Sequence, residues 1–514
     1  MDLKTEVLVI GGGATGAGIA RDLSLRGIPA LLIEKGDLLS GASGRNHGLL
    51  HSGARYVVSD PGAARECIAE NRILRKIAPH CLEETDGLFV SLPEDGLDFR
   101  DRFIRACQET TIPAKLLSRE ETLGLEPDLN PTLLSAVKVP DGAIDPFELV
   151  LANAKDAEVH GATFLLHTEV TSFLVNGNKV TAAFAKDLLH GEEYRIEASY
   201  FINATGAWAD NLLKKVGLRL PMALSKGSML ITNQRLSHRV INRCRPPSNG
   251  DIIVPNHTVS ILGTTSVRLE DVECFEVMPH EVSLLIDETS KMLPNIREAR
   301  LIRAYAGIRP LFQSEEKDDD RAISRGFVLI DHEMRDGLNN LITITGGKLV
   351  TYRLMAEKTV DLICKKLNID LSCSTHLKPL TKRDHPCSLK DRLKTLGSME
   401  TLCDCELVGI EEVIEVLKEG KLKSFQDILH RTRLTKGTCQ GAFCVYRLFG
   451  LLHDLGMVKE ESNHILKGFL EERWKGIRPI LWGSALKEEE LIEGIYKGIF
   501  NLKKSKEFGV GSSE

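Results

Sequence analysis

The chain lacks any apolar stretch approaching the roughly 18 residues that a spanning helix needs, so no transmembrane segment is predicted. It has no excess of positive charge. Lys and Arg number 66 against 72 Asp and Glu, a net charge of −6, which gives no reason to expect a nucleic-acid partner. It has no internal repeat and no low-complexity segment. The first residues, Met1-Asp2-Leu3-Lys4-Thr5-Glu6, are mixed in charge and run straight into a strand pattern, unlike a cleavable signal peptide. A cytoplasmic protein is expected, with any peripheral membrane association made through partners. Disulfides are also unexpected, although there are 12 cysteines in the 514 residues. Eight (Cys67, Cys81, Cys107, Cys244, Cys274, Cys364, Cys373, Cys387) are scattered and read as small buried hydrophobes. The last four are clustered. Hydrophobic and charged fractions of 42% and 27% describe an ordinary globular protein, and the length suggests about three domains.

What is present begins at once. Val7-Leu8-Val9-Ile10-Gly11-Gly12-Gly13-Ala14-Thr15-Gly16 is a strand, a glycine turn and a helix start, and Glu34 closes the next apolar run. Gly11 permits the tight turn, Gly13 lets backbone approach a pyrophosphate, and Gly16 lets helix and strand pack closely. The free N–H groups of the helix start face the phosphates. Glu34, 21 residues after Gly13, can accept from both hydroxyls of a ribose. The motif is a dinucleotide site, and by itself does not choose between NAD and FAD.

Helical patterns follow near 61–78 and 98–110. Residues 165–200 partly alternate apolar and polar, with Asn176-Gly177 as a hairpin turn. Further strands are predicted at Tyr200-Phe201-Ile202, between 227 and 265, and at Leu341-Ile342-Thr343-Ile344-Thr345 before Gly346-Gly347. A helix of about 17 residues is predicted from near Leu349. Residues 370–400 are polar and read as an irregular linker. The acidic run 315–320 reads as a solvated loop. A nucleotide fold begun at the N-terminus, interrupted by antiparallel sheet and resumed later argues against a compact NAD dehydrogenase and for an FAD oxidoreductase.

The loop Ser40-Gly41-Ala42-Ser43-Gly44-Arg45-Asn46-His47-Gly48-Leu49-Leu50-His51-Ser52-Gly53-Ala54-Arg55-Tyr56 supplies small residues, hydroxyls and amides suited to a flat ligand. It resembles the flavin-contacting loop of the FAD-dependent glycerol-3-phosphate dehydrogenases, in the D-amino-acid-oxidase-like superfamily. It is similar especially to the A subunits of the anaerobic branch. The resemblance continues through Val139-Pro140-Asp141-Gly142, Lys226-Gly227-Ser228, 303–311, 344–353, Glu472-Arg473-Trp474-Lys475-Gly476 and Trp482-Gly483. It implies an α/β fold, α+β in the substrate domain: a split Rossmann-like FAD-binding domain, an antiparallel-sheet substrate domain and a small helical C-terminal iron–sulfur domain. The expected FAD-binding parts are near 1–80, 140–215 and 325–370, with the substrate part mostly at 81–139 and 216–324. A linker at 371–400, an iron–sulfur module at 401–455 and helices at 456–514 complete the chain.

The resemblance also implies the residues in contact. For FAD these are Gly11, Gly13, Gly16, Glu34, Ser43, Arg45, Asn46, His47, Gly48, His51, Gly206, Gly346, Gly347, Lys348 and Leu349. For substrate they are Arg55, Tyr56, Arg309, Arg325 and Lys348. A phosphorylated alcohol is a near-dianion, which several fixed cations can hold, and arginine's planar fork suits phosphate. Oxidation of its secondary hydroxyl sends hydride to the flavin while a proton leaves. His51 is the candidate base, or a ligand to flavin or a carbonyl. Arg309 can instead steady the developing alkoxide, and Lys348 completes the catalytic set. Met229 stands where aerobic relatives carry a histidine after Lys-Gly-Ser, and it cannot titrate. A helix start after Gly346-Gly347 would stabilise a reduced, anionic flavin. Trp208 alone reads as core. So the implied reaction is oxidation of sn-glycerol 3-phosphate to dihydroxyacetone phosphate. The alternatives are a 2-hydroxy-acid or amine dehydrogenase, which needs only one carboxylate-binding arginine, and a non-catalytic electron-transfer flavoprotein.

Cys403-Asp404-Cys405 and Cys439-Gln440-Gly441-Ala442-Phe443-Cys444 form C-x-C, a 33-residue gap and C-x4-C. Four thiolates in two short pairs bind a soft metal centre; structural zinc and [2Fe–2S] both fit the spacing. The resemblance implies [2Fe–2S], of the bacterioferritin-associated-ferredoxin-like type, and hence export of electrons through partner subunits towards a quinone. The helices after 456 carry Phe469, Trp474, Ile480 and Trp482, for a partner interface or for packing.

Overall fold

The computed structural model describes residues 1–273, 275–313, 323–324, 326–382, 389–395, 400–418, 422, 424–457 and 462–499. Two large sheets dominate. The first has a parallel core ordered Thr163–Leu165, Ala30–Ile33, Asp2–Ile10, Glu193–Asn203 and Leu341–Gly346. Ala30–Ile33 and the second half of Asp2–Ile10, residues 7–10, are apolar and buried, as a sheet covered on both faces requires. Helices Ala14–Leu25, Pro146–Val159 and Tyr352–Leu367 pack together on one face.

The strand Glu193–Asn203 decides the topology. Its first half pairs antiparallel with Lys179–Asp187, the second arm of the hairpin begun by Thr168–Asn176, while Phe201, Ile202 and Asn203 pair parallel with Leu341, Ile342 and Thr343. The late strand therefore returns beside the N-terminal glycine motif across more than a hundred residues of other structure. Phe327–Asp331 closes that edge antiparallel. Three of the notable turns are capped as their sequences dictate: Asp60 and Asp145 accept from the first helical N–H groups ahead of a proline, and Gly177 turns the hairpin at positive φ.

The second sheet has nine strands, all between 87 and 139 or between 222 and 312. Its long strands Met222–Thr232 and Leu301–Phe312 pair antiparallel along nearly their whole length. Its core includes Leu88, Leu230, Ile253, Leu262 and Leu285, and it also buries Ile480 from the C-terminal region.

The C-terminal module pairs Thr401–Cys403 with Val408–Gly409 and carries helices Ile410–Lys418, Phe425–Arg431 and Cys444–Asp454 around Leu402, Val413, Leu434 and Leu448. The linker differs from the irregular stretch expected. Leu389–Thr395 is helical because Arg392, buried, is held by Glu412 at 2.8 Å. Residues 371–380 are pinned to the first domain by Arg26 on the Leu371 carbonyl, Arg21 on that of Lys378, and Leu380 N–H on that of Ile77. The helix expected from Leu349 starts as a 3-10 turn, Leu349–Thr351, and becomes α-helical at Tyr352. No described helix is long and apolar enough to cross a membrane.

Candidate functional site

A cavity of about 840 Å³ runs between the two sheets. At one end lies the glycine turn. Gly11 has φ +115°, and a Cβ there would meet the Ala204 carbonyl oxygen at 2.6 Å; a Cβ on Gly16 would sit 1.9 Å from the Gly11 carbonyl oxygen. Both positions therefore admit only glycine. Gly13 caps helix Ala14–Leu25 without a side chain; Ser43 Oγ accepts from Ala14 N–H at 2.9 Å, and the helix N-terminus faces the cavity. Glu34 closes the strand Ala30–Ile33. Its carboxylate accepts from Gly12 N–H at 2.6 Å and Gly36 N–H at 2.9 Å, and burial raises its pKa. The acid therefore ties the turn to the loop that follows.

That loop crosses the cavity and is fixed by its own bonds. Asn46 donates to the Ser43 carbonyl at 2.7 Å and accepts from Gly48 N–H at 2.8 Å. Tyr305 from the second sheet donates to the Asn46 carbonyl at 2.9 Å. Arg45 lies 4.4 Å above the Phe275 ring. His47 has a buried Nδ1 with no hydrogen-bond partner among the described residues. Burial and the nearby Arg309 and Arg55 cations push its pKa down to about 3, so it is neutral at physiological pH.

His51 is buried, with its ring 5.9 Å from His47 and 5.5 Å from Tyr56. Asp141 holds this bend by accepting from Ser52 N–H at 2.7 Å, and Asn71 donates to the His51 carbonyl at 3.2 Å. This gives the Val139–Gly142 segment a positioning role that sequence reading did not assign. Lys348 arrives from the late strand–turn unit, after Gly346 and Gly347 at positive φ, and its Nζ lies 4.7 Å above the Tyr56 ring. Arg309 arrives from the second sheet. Its guanidinium donates to Thr264 Oγ1 at 2.6 Å, Thr265 carbonyl at 3.0 Å and Ser225 Oγ at 3.3 Å. Gly227 gives it room, since a Cβ there would meet its Nη2. Met229, buried, lines the same wall.

Most of the residues named from the sequence converge here. Gly11, Gly13, Glu34, Ser43, Arg45, Asn46, His47, His51 and Tyr56 line the cavity, as do Gly206, Arg309, Gly346, Gly347, Lys348 and Leu349. Three stand apart. Gly16 packs beneath the turn and Gly48 bends the loop at φ +66°. Arg55 is not a lining residue: it is ion-paired with buried Asp251 at 3.1 Å and donates to the Ser248 carbonyl. Arg325 lies outside the described residues. Lys226, from the Lys-Gly-Ser motif, is also structural, buried against Glu281 at 2.7 Å. Trp208 is not core. It is half-buried at the cavity, donating to Glu273 at 2.8 Å. Thr264 and Phe275 line the cavity too; they come from strand ends and loops with no motif to announce them.

The four clustered cysteines lie in the C-terminal module as free thiols. Cys444 is hydrogen-bonded with Cys403 and with Cys439, and Cys439 with Cys405. Those bonds hold the Cys439 thiol well below its usual range. Thr438 Oγ1 approaches Cys405 Sγ at 3.4 Å. The module docks against the glycine-turn end of the cavity. Asp37 accepts from His430 at 2.7 Å and from Arg431 at 2.8 and 3.0 Å, His167 meets Asp427 at 3.0 Å, and Arg433 bridges Asp145 and Glu406.

The glycine cradle, the helix end beside Ser43 and the orphaned His47 nitrogen fit an extended dinucleotide running towards the second sheet, and the closed loop fits one that stays bound. This is the site of a flavin-dependent oxidoreductase. The profile of the FAD dependent oxidoreductase family matches residues 6–353. The chain is 44% identical to the A subunit of the anaerobic glycerol-3-phosphate dehydrogenase of Escherichia coli K12, over 98% of each chain. It is 40% identical to the A1 subunit of the anaerobic enzyme from Haloferax volcanii, over 98% of this chain and 91% of that one. The glycerol-3-phosphate dehydrogenase of Bacillus halodurans, solved with FAD, superposes with a TM-score of 0.63 at 22% identity over 93% of this chain and 96% of that one. Glycine oxidase from Geobacillus kaustophilus gives 0.59 at 22% identity over 74% and 100%; these two structures share the fold. The protein belongs to the FAD-dependent glycerol-3-phosphate dehydrogenase family, in the branch of the anaerobic A subunits.

Proposed function

We propose that the protein oxidises sn-glycerol 3-phosphate to dihydroxyacetone phosphate and passes the electrons through its cysteine module to partner subunits and, through them, a quinone. The observation that carries this reading is the meeting of Arg309 and Lys348 with His51 and Tyr56 in the cavity that the glycine cradle opens. Arg309 and Lys348 come from different sheets, and each is held in place, so they present fixed charge to a phosphate dianion. A 2-hydroxy acid would need only one of them. Arg55, being occupied by Asp251, supports the site from behind.

FAD held in the cradle would supply a two-electron acceptor for the hydride at C2. The chain's own residues do the rest. Tyr56 and Lys348 orient the substrate, His51 takes the hydroxyl proton, and Arg309 steadies the negative charge growing on that oxygen. Gly11, Gly13 and the start of helix Ala14–Leu25 receive the pyrophosphate, Glu34 the adenosine ribose, and the turn Gly346-Gly347 with Leu349 the ring system.

Cys403, Cys405, Cys439 and Cys444 suit a [2Fe–2S] cluster, which carries one electron at a time. Four thiolates would also hold a structural zinc; iron and acid-labile sulfide at about two each per chain support the cluster, and zinc in their place refutes it. The protein then works on the cytoplasmic side of the membrane, attached through its partners.

The test is anaerobic mixing of the purified protein with glycerol 3-phosphate, L-2-hydroxyglutarate or an opine while flavin absorbance is followed. Bleaching by glycerol 3-phosphate alone is expected; its absence overturns the proposal.

A further inference from the structure

Far from the four clustered cysteines, Glu357, Cys373 and His376 bring a carboxylate oxygen, a thiol sulfur and a ring nitrogen all within 4.8 Å of one another. We propose that these three residues form a separate metal site that takes one zinc-class divalent cation, with a fourth position left for water.

The donor set selects the metal. One sulfur, one nitrogen and one oxygen suit zinc, while magnesium and calcium require oxygen ligands. Three protein ligands also leave one tetrahedral position open. Cys373 and His376 are three residues apart on the segment that leaves helix Tyr352–Leu367, a C-x2-H spacing that lets both side chains reach one ion. Glu357 projects from the helix itself. Two of the three ligands, Cys373 and Glu357, already have outer partners of the kind ligated residues need, and Arg353 also lies 3.9 Å from Cys373 Sγ. Thr375 Oγ1 lies 3.0 Å from Cys373 Sγ, and Arg353 donates to Glu357 at 2.6 Å. Arg353 does not repel the cation on balance, because Glu70 also binds its guanidinium, at 2.8 Å from Nε. Two carboxylates thus face one guanidinium, leaving a net charge of −1 before Cys373 ionises. Binding displaces the Cys373 thiol proton to solvent and changes no oxidation state.

The consequence is a staple. Helix Tyr352–Leu367 starts at the floor of the cavity, where Tyr352 and Met355 line it. The segment after 371 is the chain's route to the cysteine module. A cation on Glu357, Cys373 and His376 would clamp that route to the helix, alongside the bonds from Arg21 and Arg26.

The test uses the FAD-loaded, iron-containing protein. It is equilibrated with zinc sulfate, freed of loose metal on a desalting column, and its zinc counted by mass spectrometry. Wild type should keep one zinc per chain that His376→Ala and Cys373→Ser lose, with FAD and iron unchanged in all three. Cobalt chloride should give a thiolate-to-cobalt absorption in wild type that Cys373→Ser abolishes. Zinc should raise the melting temperature of wild type and leave His376→Ala unmoved. No retained zinc in wild type, or equal zinc in wild type and His376→Ala, overturns the proposal. If Cys373→Ser fails to fold, the His376→Ala comparison decides.

Discussion

Replacing Gly16 by alanine tests the cradle at its tightest point. The new Cβ would stand 1.9 Å from the Gly11 carbonyl oxygen. Contacts under 3.0 Å are essentially absent for real Cβ atoms, so at least 1.1 Å of movement is required (3.0 − 1.9). The obstacle is backbone, and it cannot yield. Gly11 N–H is bonded to the Ile33 carbonyl at 2.8 Å, and Gly11 itself lies against the Ala204 carbonyl. Helix Ala14–Leu25 must therefore lift off the turn. Overpacking of this kind costs about 1–3 kcal/mol, which lowers the melting temperature of a domain this size by about 2–4 °C per kcal/mol. The lifted helix also loses its N–H bonds to the pyrophosphate, each worth about 1.5–3 kcal/mol when charge-assisted, so FAD affinity should fall about 10- to 100-fold. Gly13→Ala separates the two effects. At Gly13 φ is −76° and the new Cβ meets only the Ser43 hydroxyl, at 3.0 Å, so the fold should tolerate it while the methyl blocks the phosphate. The assays are FAD titration by fluorescence and thermal melting of the FAD-stripped chain. A Gly16→Ala protein that binds FAD and melts like wild type would refute the reasoning, as would a Gly13→Ala protein whose stripped form is equally destabilised.

Cys439→Ser should leave flavin bleaching by glycerol 3-phosphate intact while cutting iron content and transfer to an external acceptor; loss of bleaching would reverse the proposed order of electron flow. Asp37→Asn should loosen the cysteine module, since breaking a buried ion pair costs about 3–5 kcal/mol and Asp37 faces both His430 and Arg431. Burial alone would raise the Asp37 pKa, but His430 and Arg431 hold it well below the usual carboxylate range. A depressed folded pKa stabilises above the unfolded value of about 3.9 and is lost as pH falls through the folded one. The stability gap between wild type and Asp37→Asn in urea melts should accordingly be full at neutral pH and shrink only below about pH 4; a gap that widens in acid contradicts the pairing.

The sequence made the cradle legible because its constraint is local. Strand, turn and helix lie within thirty residues, and Gly16 is required by the Gly11 carbonyl five residues earlier, although the carbonyl that constrains Gly11, that of Ala204, is distant in sequence. The return of Leu341–Gly346 beside Asn203 was legible only as a second strand–glycine–helix pattern; that it pairs there depends on the split partnership of Glu193–Asn203. Charged residues were the hardest to read. Arg55 and Arg309 both stand near turns, yet Asp251 claims the first and the cavity receives the second. Nothing in the chain around Arg55 announces Asp251, 196 residues away. Cys373 read as a buried hydrophobe for the same reason: Glu357 joins Cys373 and His376 only when the segment after helix Tyr352–Leu367 folds back on it.

The arrangement of the cysteine module bears on how two redox sites can be coupled in one chain. Among the described residues the module touches the cavity domain on several sides, Thr258 donating to Glu406 and Arg433 to Asn256 among the contacts. On one side Asp37, His167 and Asp145 hold it beside the Glu34 loop. On another, the C-terminal part of helix Ser462–Ile477 meets both the cysteine loop and the second sheet. Arg473, buried and paired with Glu489, donates to the Gln440 carbonyl beside Cys439, while Gly476 lies so close to Arg303 that a Cβ would meet its side chain at 2.8 Å. Arg303 shares its strand with Arg309. The last turn of helix Ser462–Ile477 thus meets both the Cys439 turn, through Arg473, and the strand that carries Arg309, through Gly476, and the ion pairs at Asp37 hold the module on another side. Under the proposed electron route, a flavin reduced by two electrons and a cluster that takes one at a time are better served by a docked module than by a flexible tether, because the second electron must follow the first without the module leaving.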